Sequence, residues 1–224
     1  MLERIAGIAL TCLLISNNGL SSSAVKANDV ARINGLPPIG KWMIAPDGTY
    51  AHWLGDSFEG KKLREPINIV IVDAVAKTAD EARDRLTRAC VQAGYPIRRG
   101  HSGGYHGFIG NKLWDQLPQQ KDRAFSNEPF ELTNNHGRLF GPASIDGKFW
   151  FTGSLSRERV APLSKVKHAY VSFNQARDHF ADALDQKSAY KKARFVKIDN
   201  ALLGDTTCTT GDHDGVGILL EAEK

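Results

Sequence analysis

Seven histidines stand along the chain, at His52, His101, His106, His136, His168, His179 and His213. Histidine titrates near neutrality and is the commonest metal ligand, so this number points to proton transfer or to ion binding. No two of them have the i, i+4 spacing of a helical zinc site. Surface or hydrogen-bonded structural histidines are the competing reading. The sharpest local sequence is Thr210-Gly211-Asp212-His213-Asp214-Gly215, where two carboxylates flank an imidazole between glycines. Such a stretch could hold a cation or poise a base, but Asp and Gly also build tight turns, and it lacks the twelve-residue calcium-loop pattern.

Two further stretches carry candidate groups. Gly100 to Gly110 contains five glycines together with His101 and His106. Its Gly100-His101-Ser102-Gly103-Gly104 segment sets a serine beside a histidine, yet sequence neighbours rarely form a Ser-His catalytic pair, and a flexible loop accounts for it. In Asn134 to Phe140, strand alternation puts His136, Arg138 and Phe140 on one face and Leu139 on the other. That face could bind an anion, or Arg138 and His136 could pair across strands with Glu158 or Asp146. Neither a Gly-x-Ser-x-Gly elbow, a Walker loop nor zinc-finger spacing occurs, so no motif fixes a reaction or a cofactor.

The elements that must position these groups are legible. Asp47-Gly48 joins Lys41 to Ile44 with Thr49 to Trp53 as a hairpin, followed by a charged linker from Asp56 to Glu65. Ile67 to Val72 reads as a strand buried on both faces. A capping box, Thr78 with Glu81, opens a helix with Ala82, Leu86, Ala89, Cys90 and Ala93 inward, and Gly94 stops it. Asn111 to Gln120 reads as a short helix with Leu113, Trp114 and Leu117 inward. A second hairpin joins His136 to Phe140 with Lys148 to Thr152 through Asp146-Gly147. The strand Lys167 to Val171 enters a second capped helix, Ser172 with Gln175, whose inner face is Phe173, Ala176, Phe180, Ala183 and Leu184. Arg194 to Ile198 and Val216 to Leu220 complete the strands. The expectation is an α+β domain: a mixed β-sheet with two main helices packed on one face, split β-α-β-like with added hairpins.

Loops rich in glycine that leave strand ends are common binding places. His101, His106, His136 and His213, with Arg138, Asp212 and Asp214, are therefore expected to line one concave region, joined by His168, while His179 faces solvent. The alternative is that each glycine loop only turns the chain.

Composition and the N-terminal pattern bound the setting. Hydrophobic residues at 42% and charged residues at 24% exclude a disordered or fibrous chain. Glu3 and Arg4, then the apolar run Ile5 to Ile15 and a polar small-residue stretch ending Ser23-Ala24-Val25-Lys26-Ala27, read as a secretory signal over residues 1–27, with a single domain over 28–224. The apolar run is too short for a membrane span of about 20 residues. The formal charge of +4 falls by one once Glu3, Arg4 and Lys26 are removed, which is too mild to expect nucleic acid as a partner. Loss of Cys12 leaves Cys90 and Cys208, a candidate disulfide in an oxidising compartment, or two separate thiols.

Several of these segments occur in an order that resembles the LssY-like C-terminal domain family: the strand Ile67 to Val72 and its helix, His136-x-Arg138-x-Phe140, Gly147-Lys148-x-Trp150-x-Thr152-Gly153, His168 to Asp178, and Gly211-Asp212-x-Asp214-Gly215. The resemblance covers roughly residues 38 to 221. It departs at Gly137, between the histidine and arginine, and at Phe140, where the family often has tryptophan. That family looks like an accessory domain, found alone or beside membrane-spanning DedA-like or lipid-phosphatase-like parts. The resemblance implies an envelope setting and supplies no catalytic residues. The functional expectation is a periplasmic or secreted accessory domain binding an unidentified small ligand or envelope protein; the alternative is a His/Asp-based, metal-dependent hydrolase of the cell envelope.

Overall fold

A computed structural model describes residues 25–163 and 168–224. Cys12, the apolar run of the expected signal and Lys167 lie outside the described residues. A 3-10 turn (Ala27–Asp29) leads into β1 (Val30–Ala31) and β2 (Ile39–Gly40), and β3 (His52–Phe58) and β4 (Lys61–Arg64) form a hairpin. Next come β5 (Ile69–Asp73), α1 (Ala79–Gln92), β6 (Ile97–Arg99), β7 (His106–Ile109), β8 (Lys112–Leu117) and β9 (Arg123–Ser126). The two longest strands, β10 (Asn134–Ile145) and β11 (Lys148–Val160), precede β12 (His168–Ser172), α2 (Phe173–Lys187), β13 (Tyr190–Lys197), β14 (Cys208–Thr209) and β15 (Val216–Ala222).

The main sheet runs β1-β2-β7-β8-β10-β11-β5-β15-β13, with β12 paired to β11, β9 to β10 and β6 to β9. The order β14-β4-β3 makes a second, three-stranded sheet. β15 lies parallel to β5, and β14 parallel to β4; the other pairs are antiparallel. The protein is thus an α+β fold built mostly of mixed sheet. β6, which follows α1, pairs with β9. No helix among the described residues is long and apolar enough to cross a membrane.

Side-chain alternation divides the core. One face of the central strands, with Ile69, Ile71, Leu139, Phe151, Leu155, Ile218 and Leu220, packs under Leu86 and Cys90 of α1 and Phe180 and Leu184 of α2. The other face, with Val70, Val72, Phe140, Trp150 and Leu219, packs against Ile39 of β2, Met43 of the loop after it and Ile67 just before β5. β5 is fully buried because its Ile-Val-Ile-Val run feeds both clusters. Both helices begin as capping demands: Thr78 Oγ1 accepts the Glu81 N–H at 3.1 Å, and Ser172 Oγ accepts the Gln175 N–H at 2.8 Å.

Three expectations are corrected. Residues 112–117 are strand β8, not helix, since Gly110 at φ +71 and Asn111 form a tight turn that folds this segment back along β7. The charged stretch from Asp56 to Glu65 is no linker but most of the β3–β4 hairpin, turned at Glu59-Gly60. The hairpin around Asp47-Gly48 is present but short, paired through Ala45 N–Thr49 O, the Ile44–Tyr50 bridge and Ala51 N–Met43 O. Cys90 and Cys208 form no bridge: Cys90 is buried under α1 in the helix-side cluster, and Cys208 sits beside Arg64, with its Sγ 3.5 Å from the guanidinium.

Asn68 repairs the place where the ladder between β5 and β11 ends. Its amide nitrogen donates to Leu155 O at 2.9 Å and its amide oxygen accepts the Leu155 N–H at 3.0 Å, all fully buried. An orphaned buried polar group costs about 1–3 kcal/mol. Asn68→Ala is expected to lower unfolding free energy by about 2 kcal/mol or more, measured by urea denaturation; a change below about 0.5 kcal/mol would show that water replaces the amide.

Candidate functional site

β10 and β11 are buried on both faces, yet the face turned away from the helices is largely polar. Cross-strand register sets Asn134 opposite Glu158, His136 opposite Ser156, Arg138 opposite Ser154 and Phe140 opposite Thr152. Gly137 lies between the two functional side chains for a steric reason: a Cβ there would stand 2.2 Å from Leu155 Cδ1 and 2.5 Å from Ser154 O. Glycine at this position lets β10 lie close against β11.

Above this polar face lies a cavity of about 290 Å³, lined by Trp53, Glu65, Gly100, His101, Ser102, Phe130, His136, Arg138, Glu158 and His168. Each wall has its own support. Trp53 comes from β3, and Glu65 follows β4. The loop between β6 and β7 supplies His101 and Ser102. It is held by Arg138, whose Nε and NH2 donate to Ser102 O at 3.1 and 2.6 Å while its guanidinium lies 4.8 Å over the Tyr105 ring. Phe130 packs against His168 with ring centroids 4.0 Å apart and edge-on to His101 at 5.6 Å. Gly100, at φ +94, is required here, since a Cβ would meet the Phe130 ring at 2.8 Å.

The histidines cluster as neutral rings around a carboxyl group. His101 and His136 stack with centroids 4.5 Å apart and 29° between planes. Asn134 donates from its amide nitrogen to Leu132 O at 3.0 Å and Glu158 Oε1 at 2.8 Å. Only its oxygen is left for His136 Nδ1, 2.9 Å away, so that nitrogen carries the ring proton and Nε2 the lone pair. Glu158 Oε1 is also 3.3 Å from His168 Nδ1 and 3.8 Å from His136 Nδ1. Burial pushes the Glu158 carboxyl up to about 7, against the pull of the Asn134 hydrogen bond and Arg138. Burial, helped by Arg138 and His168, drives His101 down to about 3, and burial with His101 beside it holds His136 well below the usual imidazole range. Desolvation also raises the fully buried Glu65, with Arg138 opposing.

The expected single site is therefore half assembled. His101, His136, Arg138 and His168 come together. His106 does not: it borders a separate depression, with Nδ1 3.1 Å from Asp115 Oδ1. The Asp212–Asp214 turn also lies outside the cavity and serves the fold. Asp212 accepts from the Tyr170 and Ser172 hydroxyls and from the Phe173 N–H at 2.8 Å, anchoring the start of α2. Asp214 pairs with Arg177 NH1 at 2.7 Å. His213 is buried and contacts Asn200 Oδ1 through Nε2 at 2.8 Å. His179 is exposed as expected, though its Nδ1 also meets the Tyr95 hydroxyl at 2.7 Å.

Two acids were missed as site members. Glu65 was hidden in the supposed linker. Glu158 enters the sequence reading only as a pairing partner, because the expected strand ends at Thr152, whereas the alternation of Thr152, Ser154, Ser156 and Glu158 continues it. Comparison of the chain with family models, with curated proteins and with solved structures finds no match in any of the three. The chemistry is read from the residues alone.

Burial, with a smaller contribution from Arg177, drives His213 down to about 4 against the opposing pull of Asp214 and Asp212. Its unfolded pKa is about 6.5, so the unfolded chain binds the extra proton between these values and stability is lost as pH falls through that window. The expected contribution is about 3 kcal/mol, complete near pH 4. Unfolding of wild type and His213→Gln between pH 7 and 4 should show a shallower loss in the variant; parallel curves would reject the assignment.

Proposed function

We propose that this chain is an exported domain, periplasmic or secreted, that binds a small polar molecule in the cavity over β10 and β11. The observation that carries the reading is convergence: side chains from β3, the residue after β4, the β6–β7 loop, the segment after β9, and β10, β11 and β12 meet on one cleft. Folding gains nothing from burying Glu65, Glu158, His101, His136 and Arg138 together, since each desolvated polar group costs free energy unless paired. Clefts with few convergent polar groups between aromatic walls are the ordinary form of a ligand site, and this one is at the small end of the range. Trp53 and Phe130 supply apolar walls, and Arg138 and the two glutamates supply polar ones.

Export is supported by the order of features in residues 1–27, and the LssY-like resemblance points to the same envelope setting, with His136 and Arg138 of its motif both lining the cavity. An envelope hydrolase is the second reading; what favours it is the grouping of His101, His136 and Glu158 on one wall.

Two measurements test the reading. Mass spectrometry of the periplasmic or secreted protein is expected to find Asn28 at the N-terminus, and an intact Met1 rejects export. A thermal-shift panel of organic acids, amino acids and monosaccharides should contain a stabilising compound, worth about 2.7 kcal/mol at a hundredfold excess over Kd. Ser102→Trp, which fills the cavity, should abolish that shift. A shift that persists undiminished in the variant, or a panel with no stabilising compound at all, counts against the cavity as the site.

A further inference from the structure

His101, His136 and Glu158 each offer one ligand atom, and all three atoms lie within 4.8 Å of one another in a buried setting. From this juxtaposition we propose that the three side chains form a binding site for a divalent transition-metal ion of the zinc type. The inference rests on the cavity being a binding site and specifies what one wall of it holds.

The donor set selects the ion class. Two imidazole nitrogens and one carboxylate oxygen suit zinc and its late first-row neighbours, whereas calcium and magnesium take oxygen shells. A second, independent observation is His101 Nε2, on a side chain only 6% exposed, which has no hydrogen-bond partner among the described residues. A buried ring nitrogen without a partner is a costly arrangement that an ion would relieve, and His101 lines the polar cavity. His136 Nε2 meets only the Ser156 hydroxyl, at 3.4 Å.

The surrounding groups form the outer shell that such a centre requires. Metal-bound histidines almost always donate their other N–H to a carbonyl or carboxylate, and ligating carboxylates are themselves hydrogen-bonded. Asn134 does both at once, accepting from His136 Nδ1 and donating to Glu158 Oε1. Among the described residues Arg138 is the nearby cation; its guanidinium is turned to the Ser102 carbonyl, with Glu65 close by.

Ligation requires movement. Bond lengths of about 2.0–2.2 Å put tetrahedral ligand atoms about 3.3 Å apart, and lone pairs must converge in the ring planes. The His101 ring, with no partner on Nε2, turns out of its stack, while His136 stays on Asn134. Three protein ligands leave a fourth position facing the rest of the cavity, as in hydrolytic zinc sites and unlike closed structural ones.

The test titrates the full chain, stripped with chelator, with Co²⁺ followed by visible d–d absorption and with Zn²⁺ by calorimetry. One Co²⁺ per chain is expected, with a spectrum of four or five ligands, displaced by Zn²⁺. Glu158→Gln and His101→Ala should each weaken binding at least about tenfold, and Asn134→Ala, which removes only the positioning amide, should weaken it by about 10- to 100-fold. Near-ultraviolet circular dichroism identifies folded variants, and Glu158→Gln alone decides if His101→Ala does not fold. No Co²⁺ uptake by the wild type overturns the proposal, as does uptake unchanged in the folded variants, which would locate the ion elsewhere. The thermal-shift panel is run with and without metal. A compound that stabilises metal-free protein lacking any Co²⁺ affinity removes the metal centre and leaves the ligand cavity standing, whereas tight Co²⁺ binding with an empty panel does the reverse.

Discussion

Everything in this fold leans on the β10–β11 hairpin, whose two strands are buried on both faces over most of their length. Asp146 and Gly147 at φ +51 and +70 close it, in the primed geometry that matches the twist of paired strands. A strand pair buried on one face alternates apolar with polar and leaves the polar side to water. Here the second face is covered by β3, β4 and the β6–β7 loop, so Asn134, His136, Arg138, Ser154, Ser156 and Glu158 are all taken out of water together. Each must then find a partner inside the protein or face a space where a ligand can supply one.

That constraint explains what was legible in the sequence and what was not. The helices were plain, because Thr78 and Ser172 cap them and their apolar positions recur at helical spacing with no competing signal. The β10–β11 turn was plain for the same reason. β8 was not, because Leu113, Trp114 and Leu117 fit a helical face as well as a strand, and Gly110-Asn111 had to be weighed as a turn to decide. Of the site, the glycine-rich loop with His101 and the strand with His136 and Arg138 could be found by residue type. Their meeting could not, since it depends on which loop Arg138 pins through Ser102 O. Glu65 and Glu158 carry no sequence mark of burial, because charge is normally a sign of exposure, yet both are buried in the fold.

The Asp212–Asp214 turn shows the opposite error. It has the composition of a cation site, yet its carboxylates are spent on the Tyr170 and Ser172 hydroxyls, the first N–H of α2 and Arg177. Acidic residues between glycines bring oxygen atoms near one another only if the backbone leaves them unemployed. Here the start of α2 uses them first.

Comparison of His136 with His213 isolates what makes a site. Both are nearly fully buried, both are held neutral by desolvation, and both donate a ring N–H to an asparagine oxygen whose amide nitrogen is already committed to other acceptors. Asn200 donates to Lys41 O and Ile67 O, and Asn134 to Leu132 O and Glu158. The local chemistry is the same, and what differs is the surroundings. His213 Nε2 donates to Asn200, whose amide ties Lys41 O and Ile67 O together, and His213 is absent from the cavity lining. His136 shares its asparagine with a carboxylate and borders a space into which His101, His168 and Arg138 also project. A buried histidine becomes a candidate for function when its second nitrogen faces room for a molecule rather than packed backbone, and composition alone does not record that room.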